Sequence, residues 1–411
     1  MPVYTIYSMM RIPTLFFSLC LLLLHSCAVA NPSADKHAST KIVPAAERLD
    51  KYLPMIRNKR VAVFGNNTSM VGDKHLVDTL KKLGVNIVKI FAPEHGFRGT
   101  ADAGAKVDNS IDQNTGIQVV SLYGKKLRPS KDDLADVDII IFDIQDVGAR
   151  FYTYINSLEE CLKSAIESNK SFLLLDRPNP NGFYVDGPVL DTSFRSFVGM
   201  QPIPVVYGMT IGEYGKMLIG EQWVKTNGWN KLTIIECAGY DHTSRYQLPV
   251  RPSPNLPEMQ SIYWYPSTCF FEGTVLSEGR GSEKPFQYIG HPALPSTMFS
   301  FVPVSKAGAT NPKLKDKTCY GYNLSGSIDE VLKKVNGRIQ IGYLIDAYKL
   351  FPVKDSFFLA NKFINKLAGN DILMKQIREG KSEQEIRSGW QPKLTAFKQL
   401  RKKYLLYKDF E

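Results

Sequence analysis

The feature that most constrains the fold is an alternation of short apolar runs with helical patterns, from residue 60 to about 240. The runs are apolar on both faces, which is typical of strands buried in a parallel sheet. Helical patterns lie between them at 73–83 and 158–166, and a third helix is predicted to start with a capping box at Thr210 and Glu213. The apolar runs are RVAVFG, NIVKIFA, IQVVSLYG, VDIIIFD, SFLLLD, PIPVVYG and LTIIEC. This order predicts an α/β fold with a Rossmann-like, doubly wound and mostly parallel sheet.

The pattern changes near residue 250. The proline-rich stretch RPSPNLPEMQSIYWYPST predicts a non-helical connection, followed by a glycine-rich loop, a few strand-like pieces and several helical patterns. The chain has 411 residues, 44% of them hydrophobic, enough for two cores. We therefore predict a Rossmann-like catalytic domain over residues 45–255. A smaller α+β domain over residues 256–411 is expected to close a cleft against it.

Residues 1–30 have the pattern of a signal peptide. Arg11 precedes the run IPTLFFSLCLLLL, no acidic residue occurs before Asp35, and the run ends at His25. It is shorter than the roughly 20 apolar residues that a membrane span needs. Two cleavage sites remain open: the small-residue motif AVA, and a loose lipobox, LHSC, whose Cys27 would be lipidated and attach the protein to a membrane. Both predict an exported protein, either periplasmic or a membrane-anchored lipoprotein.

Charge and cysteine content limit the partners. The formal net charge of +11 suits an anionic cell-wall polymer or a membrane surface. No recognised nucleic-acid-binding motif accompanies this charge, so we expect no nucleic-acid partner. Cys161, Cys237, Cys269 and Cys319 are too irregularly spaced for a zinc site or a dense disulfide framework. A Cys269–Cys319 bridge and the oligomeric state stay open.

Polar residues collect where the predicted strands end. Ligands of open parallel sheets bind beyond these carboxyl ends, because loops and helix N-termini converge there. Proline before Glu94 and glycine two residues after it hold this carboxylate on a rigid bend, which favours a functional role. Structural roles remain open for the others. Asp143 or Asp146 can cap a helix N-terminus, Asp176 and Arg177 can form a structural ion pair, and His95 can be a turn residue with its hydrogen bonds satisfied. The candidates at four strand ends are Asn66; Glu94, His95 and Arg98; Asp143, Asp146 and Arg150; and Asp176 and Arg177.

Several familiar sites are missing from the sequence. GNNTSMVG follows the first strand and lacks the G-x-G-x-x-G of dinucleotide binders, and no P-loop lysine motif occurs. Neither a G-x-S-x-G elbow nor an H-E-x-x-H zinc helix is present. A metal site made of His95, Asp143 and Asp146 is a weak alternative. We therefore predict no cofactor and no metal.

The second domain contributes a charged loop, FEGTVLSEGRGSEKPF. Glu272, Glu278, Arg280 and Glu283 are spaced in it by glycines that let the backbone approach a ligand closely. The alternative is a glycine-rich hairpin with solvated charges. Cleavage of a glycosidic bond usually needs two carboxyl groups on opposite sides of the bond. Glu94 on one wall of a cleft and an acid of this loop on the other would supply them.

An ordered set of motifs resembles one known family. PEHGFRG, SLYG, DIQDVGARFYTY, LDRPNPNG, GMTIGEY, PSPNLP, YPSTCFFEGTVLSEGRG and PFQYIGHP are similar to motifs of the NamZ-type exo-β-N-acetylmuramidases, over roughly residues 45–411. These exported bacterial glycosidases remove single N-acetylmuramic acid residues from the non-reducing ends of peptidoglycan fragments. The resemblance implies peptidoglycan-derived muramyl saccharides as substrates, and an active site between a Rossmann-like domain and a smaller C-terminal domain.

The resemblance also suggests residue roles. Glu94 becomes the candidate catalytic acid, and one departure is Gln287, where the family's PFE pattern has glutamate. That departure argues against a catalytic role at this position. The second catalytic carboxylate, and with it retention or inversion at the anomeric carbon, stays unassigned. The candidate catalytic residues are Glu94, His95, Asp143 and Glu278. The candidate substrate-binding residues are Asn66, Arg98, Asp146, Arg150, Tyr152, Asp176, Arg177 and Arg280.

The leading interpretation is an exolytic muramidase. A non-catalytic cell-wall-binding lipoprotein on the same fold is the alternative, and the missing phosphate motifs disfavour a nucleotide-dependent enzyme. The muramic sugar carries a lactyl carboxylate, which the planar fork of an arginine can bind with two hydrogen bonds. The candidates for this contact, all predicted near the crevice, are Arg98, Arg150, Arg177 and Arg280. Arg150 is favoured because it follows a strand end by a few residues, and Arg280 because it lies between glycines on the facing wall.

Overall fold

The helices and strands are those of a computed structural model, which describes residues 41–98 and 108–411. The predicted signal peptide and Cys27 lie outside the described residues. The strands are β1 (Val61–Gly65), β2 (Met70–Val71), β3 (Lys74–His75), β4 (Ile87–Ala92), β5 (Ser110–Ile111), β6 (Gln118–Ser121), β7 (Ile139–Asp143), β8 (Ser171–Leu175), β9 (Leu232–Ile235), β10 (Tyr288–His291), β11 (Phe299–Phe301) and β12 (Cys319–Asn323). The α-helices are α1 (Leu49–Ile56), α2 (Leu76–Lys82), α3 (Tyr154–Glu167), α4 (Ile211–Gly220), α5 (Met259–Thr268), α6 (Ile328–Val335), α7 (Gly342–Leu350), α8 (Lys354–Phe357), α9 (Phe363–Ala368), α10 (Ile372–Arg378) and α11 (Glu383–Lys402). Short 3₁₀ helices span Ala45–Glu47, Asp132–Leu134, Thr192–Phe194 and Cys269–Gly273.

The main sheet confirms the predicted fold class. Its seven strands lie in the order β5-β6-β4-β1-β7-β8-β9, and all neighbours are parallel except β5 and β6. From β1 the sheet extends through β4 and β6 on one side, with the short β5 at the edge beyond β6, and the chain then returns to add β7, β8 and β9 on the other side. This is the strand order of a Rossmann-like sheet, and it places a crevice where β1 and β7 end side by side.

Both faces of the sheet are buried, because the side chains that point to each face of its central strands are apolar. Val61 and Val63 pack in one cluster with apolar side chains of α1 and α2. Ala62 and Phe64 point the other way, into a larger cluster that includes side chains of α3 and α4. A fully buried valine or phenylalanine contributes about 1.5–3 kcal/mol to folding. The continuous apolar runs of the sequence therefore become central strands, covered on both sides.

One predicted strand does not form. Residues 202–208, PIPVVYG, make only isolated bridges, in which Val206 pairs with Ala149 and with Asp186. Pro202 and Pro204 have no N–H to donate, so the run cannot complete a ladder in the interior of a sheet. The prediction of a strand here was wrong, because its proline content was given too little weight.

The connection predicted after residue 250 was also partly wrong, because α5 begins at Met259. Pro266 lies inside this helix and supplies no N–H to the carbonyl of Ile262. Asn181 Nδ2 donates to that carbonyl at 3.2 Å instead. A side chain from a distant part of the chain therefore compensates for the proline. The capping box predicted for α4, by contrast, is confirmed by both of its hydrogen bonds.

The C-terminal part has a smaller antiparallel sheet, in the order β10-β12-β11, together with helices α6 to α11. This confirms the predicted α+β character. Residues 41–411 form one compact unit, and the boundary at residue 255 stays a prediction. The four cysteines in the described part are buried free thiols, so no Cys269–Cys319 bridge forms. Among the described helices, none is long and apolar enough to cross a membrane.

Candidate active site

The loop after β4 makes a tight turn that carries two candidate residues. The amide of Gly96 donates to the carbonyl of Pro93 at 3.0 Å, with Glu94 and His95 between them. His95 adopts φ 69°, in the left-handed region that residues with a side chain seldom occupy. Such backbone conformations collect at functional sites, where the surrounding structure maintains them.

Glu94 lies where two cavities adjoin. The inner chamber, of about 70 Å³, is lined among others by Glu94, His95, Tyr152, Tyr154, Asn255 and Arg280. The outer cleft, of about 800 Å³, is lined among others by Glu94, Tyr123, Glu272, Glu278, Arg280 and Lys313. Glu94 and Arg280 line both cavities, together with Phe151, Thr153 and Tyr265. Side chains from the N-terminal sheet and from the C-terminal part therefore face a common space.

Tyr123 orients Glu94. Its hydroxyl donates to Glu94 Oε1 at 3.0 Å. Burial, with Glu94 nearby, raises the pKa of Tyr123 above its usual range, so the phenol stays protonated and remains a donor. The sequence reasoning missed Tyr123, although it follows the third predicted strand, IQVVSLYG. The strand-end rule would have found it had it been applied to that strand as well.

The loop after β7 separates into a polar part that anchors it and an aromatic part that lines the cavities. Asp143 is fully buried and makes a bidentate ion pair with Arg177, at 2.6 Å from Nε to Oδ1 and 2.8 Å from Nη2 to Oδ2. Neither residue is among those that line the two cavities. The proposed Asp176–Arg177 pair is thus replaced by an Asp143–Arg177 pair across neighbouring strands.

Asp146 holds the next turn of the same loop. Its Oδ2 accepts hydrogen bonds from the amide of Gly148, at 2.7 Å, and from the hydroxyl of Tyr207. Burial raises the pKa of Asp146 to about 7, although both donors lower it. Asp146 does not line either cavity, and its hydrogen bonds anchor the loop that leads to Tyr152 and Tyr154.

Arg150 is fully buried, away from both cavities. Its Nη1 donates to the carbonyls of Pro188 and Ile203, and its Nη2 donates to the carbonyl of Leu367, at 2.7–2.9 Å. Burial lowers the pKa of this guanidinium to about 9. Of the two arginines favoured for the lactyl carboxylate, this one is committed to backbone carbonyls.

Two further candidates are also anchors. Asn66, fully buried at the end of β1, donates from Nδ2 to the hydroxyl of Tyr154 at 2.9 Å. It therefore supports a wall of the inner chamber. Asp176 accepts hydrogen bonds from the hydroxyl of Thr210 and from the amide of Gly212. Asp176 thereby caps the N-terminus of α4. Burial raises the pKa of Asp176 to about 7.

Arg98 and Tyr152 complete the set of substrate-binding candidates. Arg98 pairs with Asp112 at 2.9 Å and with Asp78 at 3.3 Å, away from the cavity walls. Tyr152 lines the inner chamber and donates to the carbonyl of Pro252 at 2.9 Å. The structure therefore brings Tyr152 together with Glu94, His95 and Arg280, and keeps Arg98 apart from them.

The opposite wall is a cluster of two carboxylates and two cations. Arg280 Nη1 donates to Glu278 Oε1 at 2.9 Å and forms an ion pair with Glu272 Oε1 at 2.8 Å. Lys313 Nζ lies 2.9 Å from Glu278 Oε2. Burial alone would raise the pKa of Glu278, but Lys313 and Arg280 outweigh it and lower this pKa to about 2. Glu278 is therefore ionised at neutral pH. Nothing in the local sequence around Lys313 indicated this contact.

The departure at Gln287 has a structural reason. Gln287 is fully buried, and its Nε2 donates to Glu258 Oε1 at 2.6 Å and to Ser261 Oγ at 3.0 Å. A glutamate here would place a second carboxylate directly against Glu258. Gln287 lines neither cavity, so its amide is a structural donor.

The weak metal alternative gains no support from the geometry. Within residues 41–98 and 108–411, no three His, Cys, Asp or Glu side chains lie close enough together to hold a metal ion. Asp143 is instead occupied by Arg177, and Asp146 by Tyr207 and Gly148. The cavities offer carboxyl groups, tyrosine hydroxyls and a guanidinium, a combination suited to a polar, anionic ligand such as an acidic sugar.

The sequence and the fold are similar to those of known proteins. Models named "Exo-beta-N-acetylmuramidase NamZ, N-terminal" and "C-terminal" match residues 61–260 and 263–407. Peptidoglycan beta-N-acetylmuramidase NamZ of Bacillus subtilis (strain 168) is 35% identical, over 94% of this chain and 97% of that protein. Crystal structures of two DUF1343 family proteins of Bacteroides fragilis NCTC 9343 are also similar. One has a TM-score of 0.82 and 46% identity, over 90% of this chain and 100% of that one. The other has a TM-score of 0.75 and 27% identity, over 89% and 99%.

Proposed function

The chain belongs to the NamZ exo-β-N-acetylmuramidase family, and from this premise we propose that it is a glycoside hydrolase that releases N-acetylmuramic acid from the non-reducing ends of peptidoglycan fragments. The observation that carries the proposal is the position of Glu94. This carboxyl group is held by Tyr123, lines both cavities and shares them with the charged cluster of the opposite wall. A donor and a partner carboxylate on two walls of one cleft are what hydrolysis of a glycosidic bond requires.

In this mechanism Glu94 donates a proton to the glycosidic oxygen as its bond to the anomeric carbon breaks, and water supplies the hydroxyl group that the released sugar carries at that carbon. The partner carboxylate serves as the base or nucleophile from the other wall, where Glu272 and Glu278 both lie. Glu278 has a cation at each oxygen and is only 2% exposed. Glu272 has a side chain that is 20% exposed and forms an ion pair with Arg280. We therefore assign the partner role to Glu272, and to Glu278 the role of holding Arg280.

Substitution of the two carboxyl groups tests the function. Glu94→Gln and Glu272→Gln should each lower kcat on a chromogenic β-glycoside of N-acetylmuramic acid by about 10²–10⁴-fold, the range for losing general acid or base assistance. Glu379→Gln, at an exposed position outside both cavities, is the matched control and should keep full activity. Near-normal turnover by Glu94→Gln would remove Glu94 from the mechanism. A wild-type protein that binds peptidoglycan fragments without releasing sugar would favour the non-catalytic binding protein.

Arg280 is the arginine best placed to bind the lactyl carboxylate. Of the four arginines considered, Arg98, Arg150 and Arg177 are paired or bonded away from the cavities. Arg280 lines both cavities, and its Nε is buried without a hydrogen-bond partner among the described residues. A buried donor without a partner is costly, so a ligand oxygen that reaches it is bound favourably.

Arginine substitution tests this contact by comparing substrates. A charged hydrogen bond contributes roughly 1.5–3 kcal/mol, so Arg280→Ala should reduce the preference for the muramic over the glucosamine glycoside by about 10–150-fold in kcat/KM. Arg338→Ala changes an exposed arginine outside both cavities and should leave the preference unchanged. An Arg280→Ala enzyme with undiminished preference would show that other groups read the carboxylate.

The proposed substrates lie outside the cytoplasm, in keeping with the predicted signal peptide. Periplasmic release, or anchoring through a lipidated Cys27, is part of the proposal and rests on the sequence of residues 1–30. The cationic character of the chain, +11 overall, suits work on an anionic polymer.

A further inference from the structure

Lys313 has an unusual set of neighbours for a lysine that lines an open cleft. Its Nζ donates to the carbonyls of Phe271 at 2.9 Å, Thr274 at 3.2 Å and Leu276 at 2.9 Å. A fourth oxygen, Oε2 of Glu278, lies 2.9 Å away. An ammonium group has three protons, so the three carbonyls take all of its hydrogen bonds and Glu278 adds an ionic contact.

These contacts fix the loop that carries the opposite wall. Between residues 271 and 280 this loop contains Glu272, Glu278 and Arg280, and it forms no regular strand. Its backbone is held by hydrogen bonds from the amide of Val275 to the carbonyl of Phe357 and between Ser277 and Gly290, and Lys313 adds three more from within the cleft. Removal of Lys313 would take this donor from the carbonyls of Phe271, Thr274 and Leu276, so the segment that leads to Glu278 and Arg280 would be held less firmly.

We propose that Lys313 is a positioning residue that keeps Arg280 aligned for the carboxylate of the substrate, acting through Glu278 and the loop backbone. The inference rests on the proposed function, because it assumes that Arg280 binds an anionic sugar. Lys313 is not itself the reader of this carboxylate, since its protons are already committed to the loop.

The charges around Arg280 explain how Lys313 acts on it. With Lys313 present, Glu278 shares its charge between two cations, and Arg280 Nη1 lies between Glu278 and Glu272. Without Lys313, the buried carboxylate of Glu278 has Arg280 as its remaining cationic partner and draws that guanidinium away from the substrate. Arg280 also lies over the ring of Phe286, 4.9 Å from its centroid, and near the hydroxyl of Tyr265 and the thiol of Cys269, both of which stay neutral.

The decisive experiment combines two substitutions. Lys313→Met keeps the length of the side chain and removes the charge, and it should raise KM for the muramic glycoside by about 10–100-fold with a much smaller change in kcat. Adding Glu278→Gln, which still accepts from Arg280 but no longer attracts it as an anion, should recover the part of this loss that is due to the charge of Glu278. Lys306→Met removes a lysine of the same segment, paired with the exposed Glu283, and should leave KM unchanged.

The pH profile gives a second measurement. Without Lys313, the pKa of Glu278 rises from about 2, because one of the two cations that lower it is gone. Glu278 should then become protonated as pH falls toward its new pKa and release Arg280. The KM defect of Lys313→Met, relative to wild type at the same pH, should therefore shrink as the pH is lowered. A loss of structural integrity alone would not produce that trend.

Each outcome decides between the proposals. Wild-type KM and sugar preference in Lys313→Met would overturn the positioning role. A Lys313→Met, Glu278→Gln enzyme no better than Lys313→Met would overturn it as well. An inactive wild-type enzyme would overturn the proposed function, and this role with it. Should Lys313→Met not fold, Lys313→Gln carries the same comparison, because its amide still donates to the carbonyls.

Discussion

Asp146 is a buried carboxyl group that makes the stability of the fold depend on pH. Its side chain is 4% exposed, Oδ2 accepts two hydrogen bonds, and Oδ1 has no partner among the described residues. Burial raises the pKa of this carboxyl group from 3.8 to about 7. Because the folded protein binds this proton more tightly than the unfolded chain, the stabilisation is complete below pH ~4 and is lost as pH rises toward 7.

Asp146→Asn should remove this part of the pH dependence. The asparagine keeps one acceptor oxygen for Gly148 and Tyr207, and cannot ionise. Relative to wild type, the variant should therefore gain stability between pH 4.5 and pH 8, by an amount on the order of a few kcal/mol. Urea unfolding at the two pH values measures it. Asp176 has its pKa raised in the same window, so part of the wild-type dependence will remain. Equal destabilisation of Asp146→Asn at both pH values would mean that Asp146 is ionised in the folded protein.

The loop DIQDVGARFYTY shows what an element's sequence can and cannot reveal. Its place after β7 was predictable, because an apolar run followed by polar residues marks a strand end in a parallel sheet. The division of labour within it was not. Asp143, Asp146 and Arg150 turn inward to an arginine, a tyrosine and three carbonyls, whereas Phe151 and Tyr152 line the cavity. Their partners lie far away in sequence, and spacing carries no signal for them.

Two other elements show the same limit. The strands and α4 followed from periodicity and a capping box, since those signals are local. Helix α5 forms despite Pro266 because Asn181 bonds to the carbonyl of Ile262, a contact that spans 81 positions. The clamp of Lys313 on the loop at 271–278 likewise joins segments some 40 residues apart. Local patterns thus located the loops that form both walls of the site, while the interactions that hold these loops in place depend on tertiary packing.

At the scale of the whole molecule, buried and partly buried polar contacts join the C-terminal part to the Rossmann-like domain. Tyr407 donates to Asp176 at 2.7 Å, and the amide of Leu406 donates to Glu213 at 2.8 Å. Arg401, fully buried in α11, donates to the carbonyl of Gly208 at 2.9 Å. The chain's last residues therefore complete the cap of α4 that Thr210 and Asp176 begin.

Because these contacts join the two parts, unfolding of either part would leave polar groups of the other without their partners. We therefore expect residues 41–411 to unfold in one cooperative transition. Deleting residues 405–411 should lower the stability by several kcal/mol, since several buried acceptors lose donors at about 1–3 kcal/mol each. Differential scanning calorimetry should show one peak for both proteins, moved to lower temperature by the deletion. Tyr407→Phe, which removes a single hydrogen bond, should move the same peak by less.

Two peaks in the wild-type protein, with only one of them responding to the deletion, would show that the parts are energetically independent. The cleft would then be held by its own loops, without help from the tail that joins the two parts.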